Sequence, residues 1–371
     1  MPQTYDHGSL PNPEGLNEKK FLEGTTLYSS NPLHESARYF EKIITQVFID
    51  KAKTGIDVPN YPQFRDIYQM FLDPLEGAEK VKEGYMQTGI LSMKKGKTIL
   101  PEITAIQNNS QKIGEMIGKP FKIRICVVGP HILSSFFTYR SNDIFSQLSD
   151  IISQMVENNI FTTIHARVNI VSLEEPLIGI IDDPLISYGS GGREKLLRSW
   201  ESIFSKAKAK GAQTTLHLHK TSDEIFWQTK SLDVIEVPVD DAIYQMKRTQ
   251  QLLDSTDKTL MASLCTNDFD KLIRQKIQET QKQANTSTIG EQTAETWKNI
   301  KSGRLNPETL LESTNLMKKR LTKIIERFGA GKVPYAGPEC GLRGFPSYGC
   351  ALEYLRRVSN AVKTYQKNAE C

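Results

Sequence analysis

Two of the six histidines in this 371-residue chain, His217 and His219, carry the spacing of a shared ligand site. They close the run Gln213-Thr-Thr-Leu-His-Leu-His-Lys220. Thr214, Thr215 and Leu216 suit a buried strand. On such a strand, residues two apart leave the same face. Imidazole is the commonest metal ligand, and two on one face make half of a tetrahedral zinc site. The same pair equally suits hydrogen-bonded residues at a strand end. Glu236 closes the next apolar run, and Cys340 sits in the turn Pro338-Glu-Cys-Gly341; both are ligand types that would complete a site.

Positioning these residues requires a scaffold, and the chain has the rhythm of one. Eight strands are expected, around Gly8–Pro11, Gly55–Pro59, Phe121–Val128, Val168–Glu174, Gln213–His219, Leu232–Val237, Leu260–Cys265 and Val333–Gly337. Helical patterns lie between them, as at Ser141–Glu157, Arg193–Lys210, Ser222–Thr229 and Asp268–Ala284. This alternation predicts an α/β fold, a (β/α)8 TIM barrel in one domain over residues 1–371. Residues 66–118 form an excursion between the second and third strands, with a strand-like piece at Thr98–Ile103. Residues 285–330 precede the last strand as loop and helix. Ala284–Glu295 is the expected mobile loop. Asn306 is the expected N-cap of a helix with Pro307 at its first position, running to Arg327 and stopping at Phe328-Gly329.

In such barrels chemistry sits where strands end. The eight ends deliver, in order, Ser9; Asn60 and Gln63; Gly129-Pro-His131; Glu174-Glu175; His217 and His219; Glu236 with Asp240-Asp241; Cys265-Thr-Asn-Asp268; and Glu339-Cys-Gly341. Metal-capable and polar residues thus gather on one rim. Glu174 reads as a site residue and Glu175 as structural. Cys265 and Cys350 read as core, and His131 and His165 as hydrogen-bonded structure.

Composition narrows the classes. A 38% hydrophobic, 24% charged chain is ordinary globular material. A net charge of +4 argues against a dedicated nucleic-acid binder. No apolar run approaches the roughly 20 residues of a membrane span. The start, Met1-Pro-Gln-Thr-Tyr-Asp-His7, lacks the pattern of a signal peptide. Five widely spaced cysteines do not form a secreted disulfide framework. A cytoplasmic protein with reduced thiols is the expectation.

Taken together, Glu339-Cys-Gly-Leu342 and Leu216-His-Leu-His219 resemble the catalytic half of cobalamin-independent methionine synthase, including its short archaeal-type forms. Gly337-Pro-Glu-Cys-Gly-Leu342 is similar to the family's Asn-Pro-Asp-Cys-Gly-Leu turn. Gly8-Ser-Leu-Pro11 resembles its Gly-Ser-Phe-Pro, and Ile170-Val-Ser-Leu-Glu-Glu-Pro176 its Ile-Gln-Ile-Asp-Glu-Pro. Asp57-Val-Pro-Asn-Tyr-Pro-Gln-Phe-Arg65 follows the segment carrying the family's Gly-Glu, and Gly129-Pro130 falls where it has Gly-Pro-Val-Thr. The matches keep the family's order from residue 8 to about 365. Several positions depart from the pattern. His219 replaces the thiolate of the family's His-x-Cys, Gln63 replaces a substrate-binding Glu, and Glu174 replaces an Asp. Glu236 lies within two residues of the family's ligand Glu, where an ungapped match puts Pro238. The outline of the site is kept and its chemistry altered, as in a paralogue.

The resemblance implies a (β/α)8 barrel and a zinc-dependent methyltransferase of the 5-methyltetrahydropteroyltriglutamate–homocysteine type. Zinc would be held by His217, Cys340 and one or both of His219 and Glu236. Glu174, Ser9 and Gln63 would bind the acceptor amino acid, homocysteine, and Asp268 would orient a ligand or move a proton. A free thiol ionises near pH ~8.5, and zinc deprotonates it outright. The implied methyl donor is a folate or, by analogy with the short forms, a methyl-corrinoid, free or on a carrier protein. Two other readings stay open: zinc-assisted alkyl transfer or cleavage on another small thiol, and a non-catalytic barrel that binds a ligand.

Overall fold

A computed structural model describes residues 1–281 and 286–370. Nine strands occur among them: β1 Gln3–Thr4, β2 Leu75–Val81, β3 Gly84–Met93, β4 Phe121–Val128, β5 Ala166–Glu174, β6 Gln213–His217, β7 Val234–Glu236, β8 Thr259–Cys265 and β9 Tyr335–Pro338. Seven form one curled parallel sheet in the order β1-β9-β8-β7-β6-β5-β4, and β2 and β3 form a separate antiparallel hairpin. Helices cross between successive parallel strands, as Asp143–Asn159 does between β4 and β5 and Gly191–Ala209 between β5 and β6. A TIM barrel fits this curl, with a difference at the sheet's two edges.

There the expected second strand, Gly55–Pro59, is a bridging segment rather than a strand. Single parallel bridges join Tyr5 to Val58, Ser9 to Gln63 and Asn60 to Arg124, so residues 58–63 touch both β4 and the chain just after β1. Pro59 and Pro62 bring no N–H to a ladder, which prevents regular pairing here. The first strand also lies earlier than Gly8–Pro11. Gly8 has φ +96°, and its N–H donates to Asp6 Oδ2 at 2.8 Å. That local turn ends the extended run before Ser9.

The excursion holds a helix at Ile67–Leu72, the β2–β3 hairpin, and helices at Pro101–Asn108 and Ser110–Ile117. Thr98–Ile103 is not a strand: Pro101 opens a helix at its first turn, where a missing N–H costs nothing. The single helix expected from Pro307 is two elements. A 3-10 turn spans Pro307–Leu310, and Ser313 restarts the chain as N-cap of Thr314–Phe328, accepting from Leu316 N at 3.2 Å. Residues 286–295, expected in a mobile loop, lie in the helix Thr286–Lys301; 284–285 fall outside the described residues. Trp297 of that helix donates through Nε1 to Asp270 at 2.6 Å, which ties it down. Ser222–Thr229 contains only a 3-10 turn, Ile225–Gln228.

Two apolar layers result. Tyr5, Val58, Ile170, Val234, Met261 and Tyr335 pack inside the curl of the sheet. Outside it, helix residues such as Leu148, Ile152, Trp200 and Phe204 cover the strands in one large cluster. Among the described residues no helix is long and apolar enough to cross a membrane.

Candidate functional site

Strand register brings the first three residues together. Glu174 ends β5, His217 ends β6 and Glu236 ends β7, and the three are paired in register, Glu174 with His217 and His217 with Glu236. Laterally paired residues of parallel strands share a face, so all three point into the curl. His217 Nε2 lies 3.8 Å from Glu174 Oε2, and its Nδ1 lies 3.6 Å from Glu236 Oε2.

Cys340 arrives from the turn after β9. Glu339 braces that turn, accepting from Thr266 Oγ1 at 2.6 Å, Asn267 N at 3.1 Å and Val239 N at 3.0 Å. Gly341 has no Cβ because one would lie 1.8 Å from Ser9 Oγ. The Ser9 loop and the cysteine turn are therefore pressed together, and Leu342 N donates to Ser9 O at 2.9 Å.

The loop after β1 supplies a residue the sequence reading did not single out, His7. β1 pairs with β9 in parallel, so its chain rises beside the cysteine turn. Asp6 locks the loop: its carboxylate accepts from Gly8 N at 2.8 Å, Asn60 N at 2.7 Å and the buried Lys51 Nζ at 2.8 Å. Asn60 Nδ2 donates to His7 O at 2.8 Å. The signal for His7 was its position two residues before Ser9. Placing the strand at Gly8–Pro11 left it before the strand instead of at the strand's end.

His7, His217 and Cys340 offer one ligand atom each, all within 4.8 Å of one another. Tetrahedral zinc holds nitrogen at ~2.0 Å and sulfur at ~2.3 Å, which puts its ligand atoms ~3.5 Å apart. The three residues are thus grouped on the scale of one ion. His7 Nδ1 and both ring nitrogens of His217 are buried with no hydrogen-bond partner. Buried polar atoms are normally satisfied, so these unpartnered imidazole nitrogens, grouped with a thiol, fit a metal centre.

The other expected residues divide into two groups. Ser9, Gln63, Glu174 and His219 line a cavity of about 200 Å³ with His7, His217 and Cys340. His219 is exposed, with Nε2 at 3.8 Å from Cys340 Sγ. Gln63 Nε2 is buried and unpartnered. Glu236 lies behind this wall, fully buried. Arg124 Nη1 donates to its Oε1 at 3.0 Å and Arg124 Nη2 to its Oε2 at 2.5 Å. Asp268, expected to orient a ligand or move a proton, is exposed; it caps the helix Phe269–Thr280, accepting from Lys271 N at 3.0 Å. A short acidic side chain just before a helix is a favoured cap, and the cavity lining does not include it. Glu175 is structural, as expected, with backbone and indole N–H donors as its partners. It caps the helix Pro130–Ser134, accepting from His131 N at 3.0 Å and Ile132 N at 2.9 Å, and it also accepts from Trp200 Nε1 at 3.0 Å.

The charges are strongly coupled. Burial alone would raise the Glu236 carboxyl, yet Arg124 and then His7 hold it well below the usual carboxylate range. Burial opposes charge on His217, but Glu174, Cys340 and Glu236 together raise its pKa well above that of an ordinary imidazole. Burial would raise the Cys340 thiol, and His217 overrides this and lowers it. Burial, then the charge on His217, push His219 down to about 4, so it is neutral at neutral pH. The thiol is thereby biased toward the thiolate a metal requires.

No protein-family model matches the sequence, and no curated protein sequence matches it. Solved structures do share its fold. A B12-independent methionine synthase from Shewanella sp. W3-18-1, in complex with selenomethionine, superposes with TM-score 0.63 at 15% identity, covering 99% of this chain and 98% of that one. A structure from Listeria monocytogenes described as a vitamin-B12-independent methionine synthase superposes with TM-score 0.57 at 13% identity, covering 98% and 99%. Over nearly its whole length, this chain has the fold of the B12-independent methionine synthase structures.

Proposed function

We propose that this chain is a zinc-dependent methyltransferase that moves a methyl group to a thiol, with homocysteine as acceptor and methionine as product. The observation that carries the reading is the convergence of His217 and Cys340 on one cavity, with unpartnered imidazole nitrogens grouped with the thiol. The shared fold gives it a precedent in reaction class. We also read residues 58–63 as the eighth stave of a single TIM barrel over 1–371.

Zinc at this position supplies the Lewis acidity that keeps a substrate thiol ionised at neutral pH. The chain's own residues do the rest. His217 and Cys340 would hold the ion, with His219 Nε2 at 3.8 Å from Cys340 Sγ and Glu236 Oε2 at 3.6 Å from His217 Nδ1. Glu174 has a carboxylate facing the cavity, suited to the ammonium of an amino acid. Ser9 Oγ and the free Gln63 Nε2 supply donors for its carboxylate. The cavity of about 200 Å³ has room for a small amino acid and little else. The donor, a folate or a methyl-corrinoid on or off a carrier protein, would approach from the open side where His219 is exposed. The free cysteines among the described residues suit a reducing cytoplasm.

A second reading has one observation in its favour. His219 and Gln63 stand where the family has a thiolate and a carboxylate, which suits alkyl transfer to, or cleavage from, a different small thiol. The deciding experiment is the zinc content of the purified chain beside a Cys340→Ala variant, followed by methyl transfer to homocysteine from methylcobalamin and methyl-folate. About one zinc per chain, lost in the variant, with methionine formed, is the expected result. Zinc without methionine favours the second reading. A folded, zinc-free chain that takes up no added zinc leaves a ligand-binding barrel.

A further inference from the structure

We propose that His7 is a metal ligand through Nδ1, and that the buried Arg124–Glu236 pair is the positioning device that aims it. The inference rests on the metal reading above and gives that site a third ligand from the loop after β1.

The tautomer of His7 follows from its neighbours. Nε2 lies 3.2 Å from the carbonyl oxygen of Pro338 and 3.0 Å from Glu236 Oε1. A carbonyl oxygen and a carboxylate are both acceptors, so Nε2 carries the hydrogen and Nδ1 carries the lone pair. That Nδ1 is buried and has no partner. The ring stands edge-on to His217, with centroids 4.7 Å apart, and its ligand atom is grouped with those of His217 and Cys340.

Glu236 meanwhile serves other groups. Both of its oxygens face Arg124, and Oε1 also receives His7. Arg124 has no exposure to water. Its Nη2 also donates to Ser172 Oγ at 2.8 Å, and its guanidinium lies 5.0 Å over the Tyr5 ring. Moving Glu236 onto a metal would leave this buried cation without its carboxylate, an expensive arrangement. Left in place, Glu236 acts from the outer shell. It orients the imidazole and makes Nδ1 a better donor, as carboxylates behind metal-bound histidines do. His7, His217 and Cys340 would then supply two imidazoles and one thiolate to the ion, and the cavity that all three line would receive the substrate thiol.

The test loads Co2+ into the wild type and into His7→Ala, Glu236→Gln and Cys340→Ser. It reads metal affinity by chelator competition, the visible cobalt spectrum, and folding by circular dichroism. Beside it, zinc-loaded wild-type protein labelled with ¹⁵N-histidine is examined by NMR, which needs no variant and so decides the matter if His7→Ala does not fold. The expected result is a loss in His7→Ala beyond the roughly 100-fold limit of an outer-shell group, and a smaller, about 10–100-fold loss in Glu236→Gln. The NMR should show His7 bound through Nδ1 with a protonated Nε2. The proposal is overturned if His7→Ala binds like the wild type, or if Glu236→Gln loses metal as fully as Cys340→Ser while His7→Ala does not. It is also overturned if NMR shows His7 Nδ1 unbound in the loaded protein. A wild type that takes up no metal overturns this inference and the zinc reading together; the other failures leave the zinc reading standing.

Discussion

Replacing Lys51 by Met should both weaken the fold and loosen the candidate metal centre, although Lys51 lines neither the cavity nor the ligand group. Lys51 Nζ is fully buried, paired with the equally buried Asp6 Oδ2 at 2.8 Å and donating also to Asn60 O. Burial pulls the lysine's pKa down, and Asp6 counters part of that pull. Removing one member of a buried pair leaves the other charge uncompensated, at a cost of about 3–5 kcal/mol. Asp6 would keep the N–H groups of Gly8 and Asn60, so the lower end, ~3 kcal/mol, is expected. Asp6→Asn in the same chain removes the stranded charge at the loss of one acceptor for Gly8 N or Asn60 N, and should still recover ~1 kcal/mol. Equilibrium urea denaturation of wild type, single and double variants measures both numbers, provided the m-value is unchanged. Chelator competition on the same samples should show weaker metal binding, because Asp6 fixes the loop that carries His7. A single-variant cost below ~1 kcal/mol, or a double variant no more stable than the single, would refute the claim that this pair anchors the loop.

Further outcomes concern the cysteine turn and the buried acid beside it. Gly341→Ala places a Cβ 1.8 Å from Ser9 Oγ and 3.2 Å from Ser9 Cβ. It should destabilise by about 1–3 kcal/mol, and adding Ser9→Ala should restore most of this; thermal melts showing strictly additive costs would count against the contact. Glu175 has its carboxyl pushed up to about 7 by burial, against the lowering pull of its N–H donors. Between the unfolded value near ~4.3 and that folded value, the native chain holds a proton the unfolded chain releases, so stability falls as pH rises, by up to ~4 kcal/mol. Urea titrations from pH 4 to 8 should show this slope in the wild type and lose it in Glu175→Gln. An identical slope in both would assign it to another group.

Much of the frame was legible because it depends on local pattern. β4 and β8 are largely apolar runs, broken in β4 by Lys122 and Arg124 and in β8 by Ser263, and their apolar majority reads as buried strand. The run before His217 is short, β-branched and bounded by Lys210-Gly-Ala212 and Lys220. Reading those runs fixes where parallel strands end, and hence that Glu174, His217 and Cys340 meet. Lys51 was legible in hindsight: it continues the buried stripe Ile44, Val47, Phe48 on its helix, where a lysine needs a buried partner. The edges of the sheet were not legible. Pro59 and Pro62 look like loop punctuation, and only the pairing partners Tyr5, Ser9 and Arg124 make residues 58–63 a bridge. Nor could sequence order show that His7 joins His217 and Cys340, or that Glu236 turns to Arg124 across 112 residues of chain. Ligand type and strand period are properties of neighbouring residues. Which imidazole keeps a free lone pair, and which carboxylate is spent on a buried cation, are set by side chains that become neighbours only when the sheet curls.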